Sequence, residues 1–383
     1  CSIAFPILPY PSSAIFISNG CKFTLLMTSI TDDFGLYICL YQMRKIVVIG
    51  LLCLVLIGSV LAWLGYAYVV KDNVVDIPEA NHDLYIGAGW TYDSLLNGLD
   101  AILISKTSFD RVAKEMNLPN KIRPGKYEIV CDLGNRDLIN MLRSGQTKDV
   151  KVILTGSIAR NQIFSKIAEP LEIDSLDLMN MFKNDSLVES LGYNTESWPC
   201  LFIANTYFFN WATAADQVVQ RFVTEHLAFW DDERSTKAQE IDLTPNEVVI
   251  LASIVDSETM MDTEMPMIAG VYLNRLQQNW PLGADPTIRY LINEEGRQRV
   301  LYKDLEVESP YNTYKNLGLP PGPILLPSTK AIDAVLNAAN TEFMFFCAKA
   351  DFSGYHSFAK TNAQHERNRS AYRRALNQRG IMR

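Results

Sequence analysis

The longest apolar run of the chain lies near its N-terminus. Ile46–Val70 holds 25 residues without a charge, enough to cross a bilayer as a tilted helix. Arg44 and Lys45 precede it, which favours a cytoplasmic location for this side and export of the rest. A cleaved signal peptide is the alternative, but the run is long and no small-x-small cleavage site follows it. We therefore predict an uncleaved single-pass anchor over 43–70 in the cytoplasmic (inner) membrane, with the remaining chain on the periplasmic side.

The segments that flank this run have other patterns. Residues 1–42 mix apolar, Pro and Ser positions without a clear period and begin with Cys, whereas Met43 is a natural start for an anchored protein. We expect 1–42 to be an upstream extension that is absent from the native protein. Residues 71–83 are polar and are predicted to link the anchor to the folded part.

The pattern of residues 84–156 predicts a small module in the order strand, helix, helix, strand, with a further helix and strand behind it. A Pro-Gly turn at Pro124 precedes the second strand. The predicted elements are a strand from Leu84, helices over Tyr92–Ile104 and Phe109–Met116 (capped by Ser108), a strand up to Val130, a helix over Arg136–Ser144 ended by Gly145, and a strand over Val150–Leu154.

Residues 157–240 have mostly helical spacing and are predicted to form a connecting region. Aromatic residues interrupt this spacing in Trp198–Trp211. The part Asn205–Trp211 is either a sugar-stacking surface or a patch of the core, and a run this apolar is more often core.

Residues 244–259 predict a well-started, buried helix. Thr244 and Glu247 form a capping box around Pro245, and the following apolar residues leave no polar face. Asp256 and Glu258 lie at the far end, where burial and the negative end of the helix dipole both raise a carboxyl pKa. A general acid that works near neutral pH requires such a raised pKa.

The composition narrows the function classes. A net charge of −8 argues against nucleic acid as a partner. Beyond the anchor only Cys131, Cys200 and Cys347 occur, without C-x-x-C spacing, so we expect buried free thiols in place of a disulfide framework or a zinc site. The four histidines form no H-x-x-x-H pair. We therefore expect neither a metal nor a cofactor.

Residues 241–383 are predicted to form a mixed α/β domain, which makes the whole chain α+β. A second apolar helix begins at Pro266, a strand covers Met344–Ala348, and a polar helix covers His365–Leu376. Between them, Asp285-Pro is often only a turn, and Tyr311-Asn-Thr-Tyr has the alternative of an edge strand with packed aromatics.

Six sequence blocks of this domain, in their order and spacing, resemble the endolytic murein transglycosylase (YceG-like) family over about residues 84–383. The blocks are Ser253-Ile-Val-Asp-Ser-Glu, Asn274-Arg-Leu, Asp285-Pro-Thr, Tyr311-Asn-Thr-Tyr, Gly318-Leu-Pro-Pro-Gly-Pro-Ile and His356-Ser-Phe. The β-α-α-β module with its Arg123-Pro-Gly-Lys-Tyr turn is likewise similar to a LysM-type glycan-binding module.

This resemblance implies an activity. The family cleaves peptidoglycan glycan strands internally at the β-1,4 bond after N-acetylmuramic acid and leaves a 1,6-anhydro end. Its catalytic acid corresponds to Glu258. The resemblance also implies cell-wall synthases as possible protein partners.

One carboxyl is chemically sufficient for this reaction. Glycosidases use two carboxylates that face each other across the bond, whereas here the C6 hydroxyl of the substrate supplies the nucleophile. Asp256 and Glu258 lie two residues apart, about 200° around a helix, so they are not expected to form an acid–nucleophile pair. The resemblance selects Glu258; Asp256 and Asn274 are expected to support it.

Further residues of the blocks are candidates for substrate contacts. Asp285, Thr287, Asn312 and Tyr314 are candidates for holding N-acetyl and hydroxyl groups, and Tyr311 for stacking on a sugar ring. His356 is a candidate for the wall of the cleft. For each, the alternative is a hydrogen bond that fixes a loop, or packing in the core.

The chain departs from the family pattern at three positions. Asp256 replaces the usual Glu, Gly283 replaces the usual Gln, and Thr155-Gly-Ser-Ile lacks an acid often found there. Two other functions therefore stay open: a hydrolytic muramidase on the same scaffold, and a non-catalytic peptidoglycan-binding scaffold.

Overall fold

The computed structural model describes residues 22–74, 81–183, 185–292 and 300–380. Parts of the expected extension (1–21) and of the expected linker (75–80) lie outside the described residues. The chain divides into two compact units, Cys1–Lys71 and Asp72–Arg383.

The helices and strands occur in the following order, with short 3₁₀ turns between some of them. The helices are α1 (Lys22–Val69), α2 (Tyr92–Gly98), α3 (Lys106–Glu115), α4 (Asn135–Ser144), α5 (Ile163–Ala168), α6 (Ser175–Phe182), α7 (Asp185–Ser190), α8 (Ala215–Phe229), α9 (Asp232–Glu240), α10 (Pro245–Glu258), α11 (Met265–Gln277), α12 (Asp285–Ile292), α13 (Thr329–Leu336) and α14 (Asn362–Gln378). The strands are β1 (Asn81–Ile86), β2 (Gly125–Val130), β3 (Val150–Leu154), β4 (Ile158–Ala159), β5 (Asn205–Phe209), β6 (Leu325–Leu326), β7 (Phe345–Ala348) and β8 (His356–Ala359).

The first unit contains the long helix α1. Its part Leu40–Val69 is apolar enough and long enough to cross a membrane. Large side chains such as Ile46, Leu54 and Trp63 are exposed all around it, as in a helix that faces lipid. The predicted apolar helix is therefore present.

The second unit begins with a small layer of two antiparallel strands and three helices. β1 pairs with β2, with Leu84 opposite Tyr127, and both side chains are buried together with Leu95 and Phe109. The observed order β1–α2–α3–β2 confirms the predicted sequence of elements. Gly145 has φ +72° and ends α4 as predicted.

Two details of this layer correct the prediction. The cap of α3 is Ser105, whose side chain accepts a hydrogen bond from the Ser108 amide; Asn73 holds Ser105 in place by bonding its backbone N–H and C=O groups. The first predicted helix is also shorter, because it ends at Gly98, where Trp90 packs so closely that a Cβ would not fit.

The larger core lies in the rest of the second unit. Two further antiparallel pairs, β3–β5 and β4–β6, connect distant parts of the sequence, and a third, β7–β8, joins neighbouring strands. The aromatic segment contributes Trp198, Phe202 and Tyr207 to this core, which favours the core interpretation over a sugar-stacking surface. Of the three thiols beyond the anchor, only Cys200 is fully buried.

Helix α10 is the centre of this core. Its residues Val248–Val255 are all buried, and the predicted capping box of Thr244 and Glu247 is present. α11 and α13 pack against α10. Glu258, the last residue of α10, therefore lies at the end of a helix that is packed into the core.

Two loop predictions are changed by the structure. Asp285-Pro opens helix α12 and is not only a turn. Tyr311–Tyr314 forms turns and not an edge strand, because its amide groups bond within the loop. The fold class, α+β with one apolar N-terminal helix, agrees with the sequence.

Candidate active site

Glu258 is the last residue of α10, and its carboxyl group accepts a short hydrogen bond from a side chain of α11. The Tyr272 hydroxyl donates to Glu258 Oε1 at 2.6 Å, and Tyr272 is 1 % exposed. Because a tyrosine hydroxyl has a single proton, this bond leaves Oε2 as the oxygen that can carry the carboxyl proton. The geometry thus distinguishes the two oxygens of one carboxyl group.

The surroundings favour the protonated form of Glu258. Burial raises its pKa, and the negative charge of Asp285 adds to this effect; the Tyr272 hydrogen bond opposes it, as do the nearby Arg289 and His356. Burial and Glu258 also raise the pKa of Tyr272 well above its usual value, so Tyr272 stays a donor. A carboxyl with a raised pKa is suited to act as a general acid.

A second acid lies near Glu258 at the start of α12. Asp285 Oδ1 accepts a hydrogen bond from the Tyr314 hydroxyl at 2.5 Å. Tyr314 is 37 % exposed, so its ring borders solvent while its hydroxyl holds Asp285. Burial, and then this bond, raise the pKa of Tyr314.

Two residues of α11 attach this helix to the loops that precede β7 and α12. Asn274 Nδ2 donates to the carbonyl oxygens of Thr341 and Phe343 at 2.8 and 2.9 Å. Arg275 Nε donates to Met344 O at 2.9 Å, and its Nη1 donates to Leu282 O. Asn274 therefore fixes α11 to the loop before β7, and among the described residues it forms no hydrogen bond with Glu258.

Asp256 contacts a different element from Glu258. Its two oxygens accept hydrogen bonds from the Ser328 hydroxyl at 2.9 Å and the Ser328 amide at 3.1 Å. Ser328 is the N-cap residue of α13. The helical period predicted such a division, and Asp256 fixes α13 against α10.

His356 forms two hydrogen bonds with a buried acid. Glu264, 5 % exposed, accepts hydrogen bonds from the His356 backbone N–H at 2.7 Å and from its Nδ1 at 2.7 Å. Among the described residues, no protein group bonds Nε2 of this ring. His356 lies close enough to Glu258 to lower the pKa of that carboxyl.

Three candidates for substrate contacts are buried and already bonded to protein atoms. The Asn312 amide donates to the carbonyl oxygens of Leu305 and Val307. Thr287 bonds Ala284 O, and the Tyr311 hydroxyl donates to Glu196 at 2.7 Å. These contacts correspond to the loop-fixing and packing alternative, so in this structure none of the three presents a free polar group to a ligand.

The chain is similar to known proteins over most of its length. The sequence profile of the YceG-like family matches residues 84–371. The chain belongs to the YceG-like family.

Named relatives and a solved structure support this placement. The endolytic murein transglycosylase of Bacillus subtilis is 29 % identical over 56 % of this chain and 58 % of its own length. That of Streptococcus pneumoniae is 27 % identical over 85 % of this chain and 64 % of its own length. The chain thus spans about three fifths of the length of these relatives. A crystal structure of a YceG-like protein from Listeria monocytogenes shares the fold, with a TM-score of 0.51 and 23 % identity over 76 % of this chain and 99 % of that one.

The structure shows what surrounds Gly283, one of the positions at which this YceG-like chain departs from the family pattern. Gly283 has φ +54°, a left-handed conformation that favours glycine. A Cβ atom there would lie 3.5 Å from Arg275 Nη1 and 3.6 Å from Tyr314 Cε1. The space of the missing side chain therefore borders the Asp285–Tyr314 pair.

Several residues of this YceG-like site were not predicted from the sequence. Tyr272, Glu264 and Arg289 are separated from Glu258 by a helix or a turn, and no local spacing connects them to it. The only signal was a polar tyrosine within the apolar run of α11. Among the residues that the structure describes, no group of His, Cys, Asp or Glu side chains could hold a metal.

Proposed function

We propose that this protein is a membrane-anchored endolytic lytic transglycosylase of peptidoglycan, in which Glu258 is the single general acid and base. The observation that carries the proposal is the Glu258 carboxyl itself, with a raised pKa and one oxygen fixed by Tyr272. Membership of the YceG-like family and the printed activity of its relatives supply the substrate class.

The reaction begins with proton transfer from Glu258 Oε2 to the glycosidic oxygen. The bond between this oxygen and C1 of N-acetylmuramic acid breaks, and positive charge develops at C1. The Glu258 carboxylate then takes the proton of the C6 hydroxyl, whose oxygen bonds C1 and closes the 1,6-anhydro ring. Glu258 is protonated again, and no water is consumed.

The neighbouring groups assist this cycle by charge and position. Tyr272 donates to the carboxylate that forms after the first transfer, when a charge-assisted hydrogen bond is strongest. The Asp285 carboxylate opposes ionisation of Glu258 before the reaction and can stabilise positive charge during it. Tyr314 and His356 line the cleft and bind sugar hydroxyl or N-acetyl groups.

The buried candidates have an indirect role in this proposal. Asn312 fixes the loop that carries Tyr314, since its Oδ1 accepts from the Tyr314 amide at 3.0 Å. Thr287 and Tyr311 hold α12 and this loop to the core. They position Asp285 and Tyr314 without contacting the glycan.

The remaining assignments follow the same proposal. The helix over 43–70 anchors the protein in the cytoplasmic membrane, and 71–83 is its linker. Residues 84–156 form a LysM-like glycan-binding module, and residues 241–383 form the catalytic domain on the periplasmic side. Residues 157–240 are the helical region that connects the two. Cell-wall synthases are proposed protein partners.

Digestion of purified sacculi tests the catalytic assignment. We expect the native protein to release muropeptides with anhydro ends, and Glu258→Gln to lose at least 100-fold of this rate, the usual contribution of acid–base catalysis being roughly 10²–10⁴. Unchanged cleavage by Glu258→Gln would remove the assignment. Reducing ends in place of anhydro ends would indicate a muramidase, and binding without cleavage a scaffold.

A further inference from the structure

A basic groove lies far along the sequence from Glu258, in the small layer of β1, β2 and α2–α4. It has a volume of about 670 Å³ and is formed by the loop before β2 and the end of α4. Its lining includes three cations and three amide side chains, and no acid. These six residues, here called the basic groove, are Lys121, Arg123, Arg143, Asn120, Asn140 and Gln146.

The cations of the groove differ from four lysines of the same layer. Lys106, Lys114, Lys126 and Lys148 each form an ion pair with a carboxylate. Lys121, Arg123 and Arg143 form no ion pair among the described residues. Arg143 Nε is in addition buried without a hydrogen-bond partner, which is uncommon for a native protein. A chain with net charge −8 thus keeps three unpaired cations in one concave place.

The walls of the groove are fixed to each other. The Tyr127 hydroxyl donates to Arg123 O at 2.7 Å and lies 3.4 Å from Leu142 O. Arg123 also lies across Gly145, where its Cγ would be 3.3 Å from an added Cβ. Burial raises the pKa of Tyr127 to about 12, so this donor stays protonated. The loop and the helix end are therefore held in place before any ligand arrives.

We propose that the basic groove binds a carboxylate-bearing peptide, and that this peptide is the stem peptide of peptidoglycan. Arginine guanidinium groups match carboxylates with two parallel hydrogen bonds. The amides of Asn120, Asn140 and Gln146 both donate and accept, which suits peptide groups, whereas a phosphate could use only their donors.

The choice of the stem peptide rests on the proposed function, because that function supplies a substrate carrying acidic peptides. The groove would then hold a glycan strand by its peptides, while Glu258 acts on the sugar backbone. Because peptide binding is measured without cleavage, a failure of the groove proposal can be distinguished from a failure of the catalytic proposal for Glu258.

The test measures binding of an isolated peptidoglycan stem tetrapeptide to the full chain in detergent, in a Glu258→Gln background. A second probe is the same peptide with its carboxyl groups converted to amides. We expect the free peptide to bind, the amidated peptide to bind at least tenfold more weakly, and added salt to weaken binding. The Arg123→Gln/Arg143→Gln double variant should bind at least tenfold more weakly, whereas Lys114→Gln, a cation of the same layer outside the groove, should bind like the parent.

Other results overturn the proposal. Equal binding of the free and amidated peptides would do so without any mutation, even if the double variant fails to fold. Absence of peptide binding would do the same. Arginine-dependent binding to phosphatidylglycerol vesicles, without binding of the peptide, would identify the groove as a lipid headgroup site instead.

Discussion

At the scale of single residues, the proposed reaction requires one carboxyl group, that of Glu258, to act first as an acid and then as a base. Glu258 must be protonated to act as an acid and ionised to act as a base. Burial favours the first state, and the Tyr272 hydroxyl favours the second. These are the two largest influences on the pKa of Glu258, and Tyr272 is the positioning residue that lowers it most.

Replacement of Tyr272 by Phe removes the hydrogen bond that lowers this pKa. The pKa of Glu258 should rise further, so the decline of kcat/KM at alkaline pH should begin at a higher pH than in the native protein. The rate at the optimum should fall roughly tenfold or more, since a hydrogen bond to a charged group contributes roughly 1.5–3 kcal/mol. A pH–rate profile measures both effects.

The Tyr272→Phe substitution leaves unchanged the other side chains that act on the pKa of Glu258, which are Asp285 and Arg289 of α12 and His356 of β8. The matched control is Tyr207→Phe, which removes another buried hydroxyl that donates to Ile203 O away from the site. An unshifted profile in Tyr272→Phe would show that Tyr272 does not tune Glu258.

The sequence could predict only part of this residue-scale arrangement. Helical period separated Asp256 from Glu258, because both lie on one helix with a known rotation per residue. It could not bring Tyr272 to Glu258 or Glu264 to His356, since these contacts depend on how α10, α11 and β8 pack. Nor could it show that Asn312 and Thr287 are buried, because polar side chains in loops look alike whether they bind a ligand or a neighbouring carbonyl.

At the scale of elements, α10 and α11 position the site together. α10 carries Glu258 and α11 carries Tyr272, so the distance between these helices determines the hydrogen bond. Gly270 of α11 lies so close to the Ala339 carbonyl oxygen that a Cβ would overlap it. The sequence predicted the apolar period of both helices, their starts and the capping box. It did not predict α12, because Asp-Pro is a signal for turns as well as for helix starts.

Introduction of a methyl group at Gly270 should therefore displace α11. We expect Gly270→Ala to lower the free energy of unfolding by about 1–3 kcal/mol, as overpacking usually does, and to lower the cleavage rate as well. Denaturant unfolding and a cleavage assay measure the two effects. Gly89→Ala is the control, since nothing lies within 4 Å of its added Cβ; equal stability of both variants would contradict the close packing of α11.

At the scale of the whole molecule, the two units have separate chemistry. The first presents an apolar helix with exposed side chains over Leu40–Val69. The second, Asp72–Arg383, contains Glu258, Tyr272 and the basic groove. The apolar helix could be predicted from the sequence, because the length and uniformity of an apolar run need no tertiary information. The antiparallel pairs could not be predicted in this way, because β3–β5 and β4–β6 join strands far apart in the chain.

Removal of the first unit tests the anchor. The full chain should sediment with membranes and resist extraction by alkaline carbonate, whereas a chain that begins at Asp72 should be soluble and still cleave glycan strands. Cell fractionation and an assay on sacculi measure this. Full-length protein in the carbonate-soluble fraction would contradict the anchor.

The central claim is that Glu258 catalyses cleavage without adding water. Its most direct test is digestion of sacculi in heavy-oxygen water by the native protein, Asp256→Asn and Glu258→Gln, with the new chain ends identified by mass spectrometry. We predict anhydro ends without heavy oxygen from the native protein, the same ends from Asp256→Asn, and no new ends from Glu258→Gln. Reducing ends that contain heavy oxygen, or anhydro ends from Glu258→Gln at the native rate, would contradict the claim.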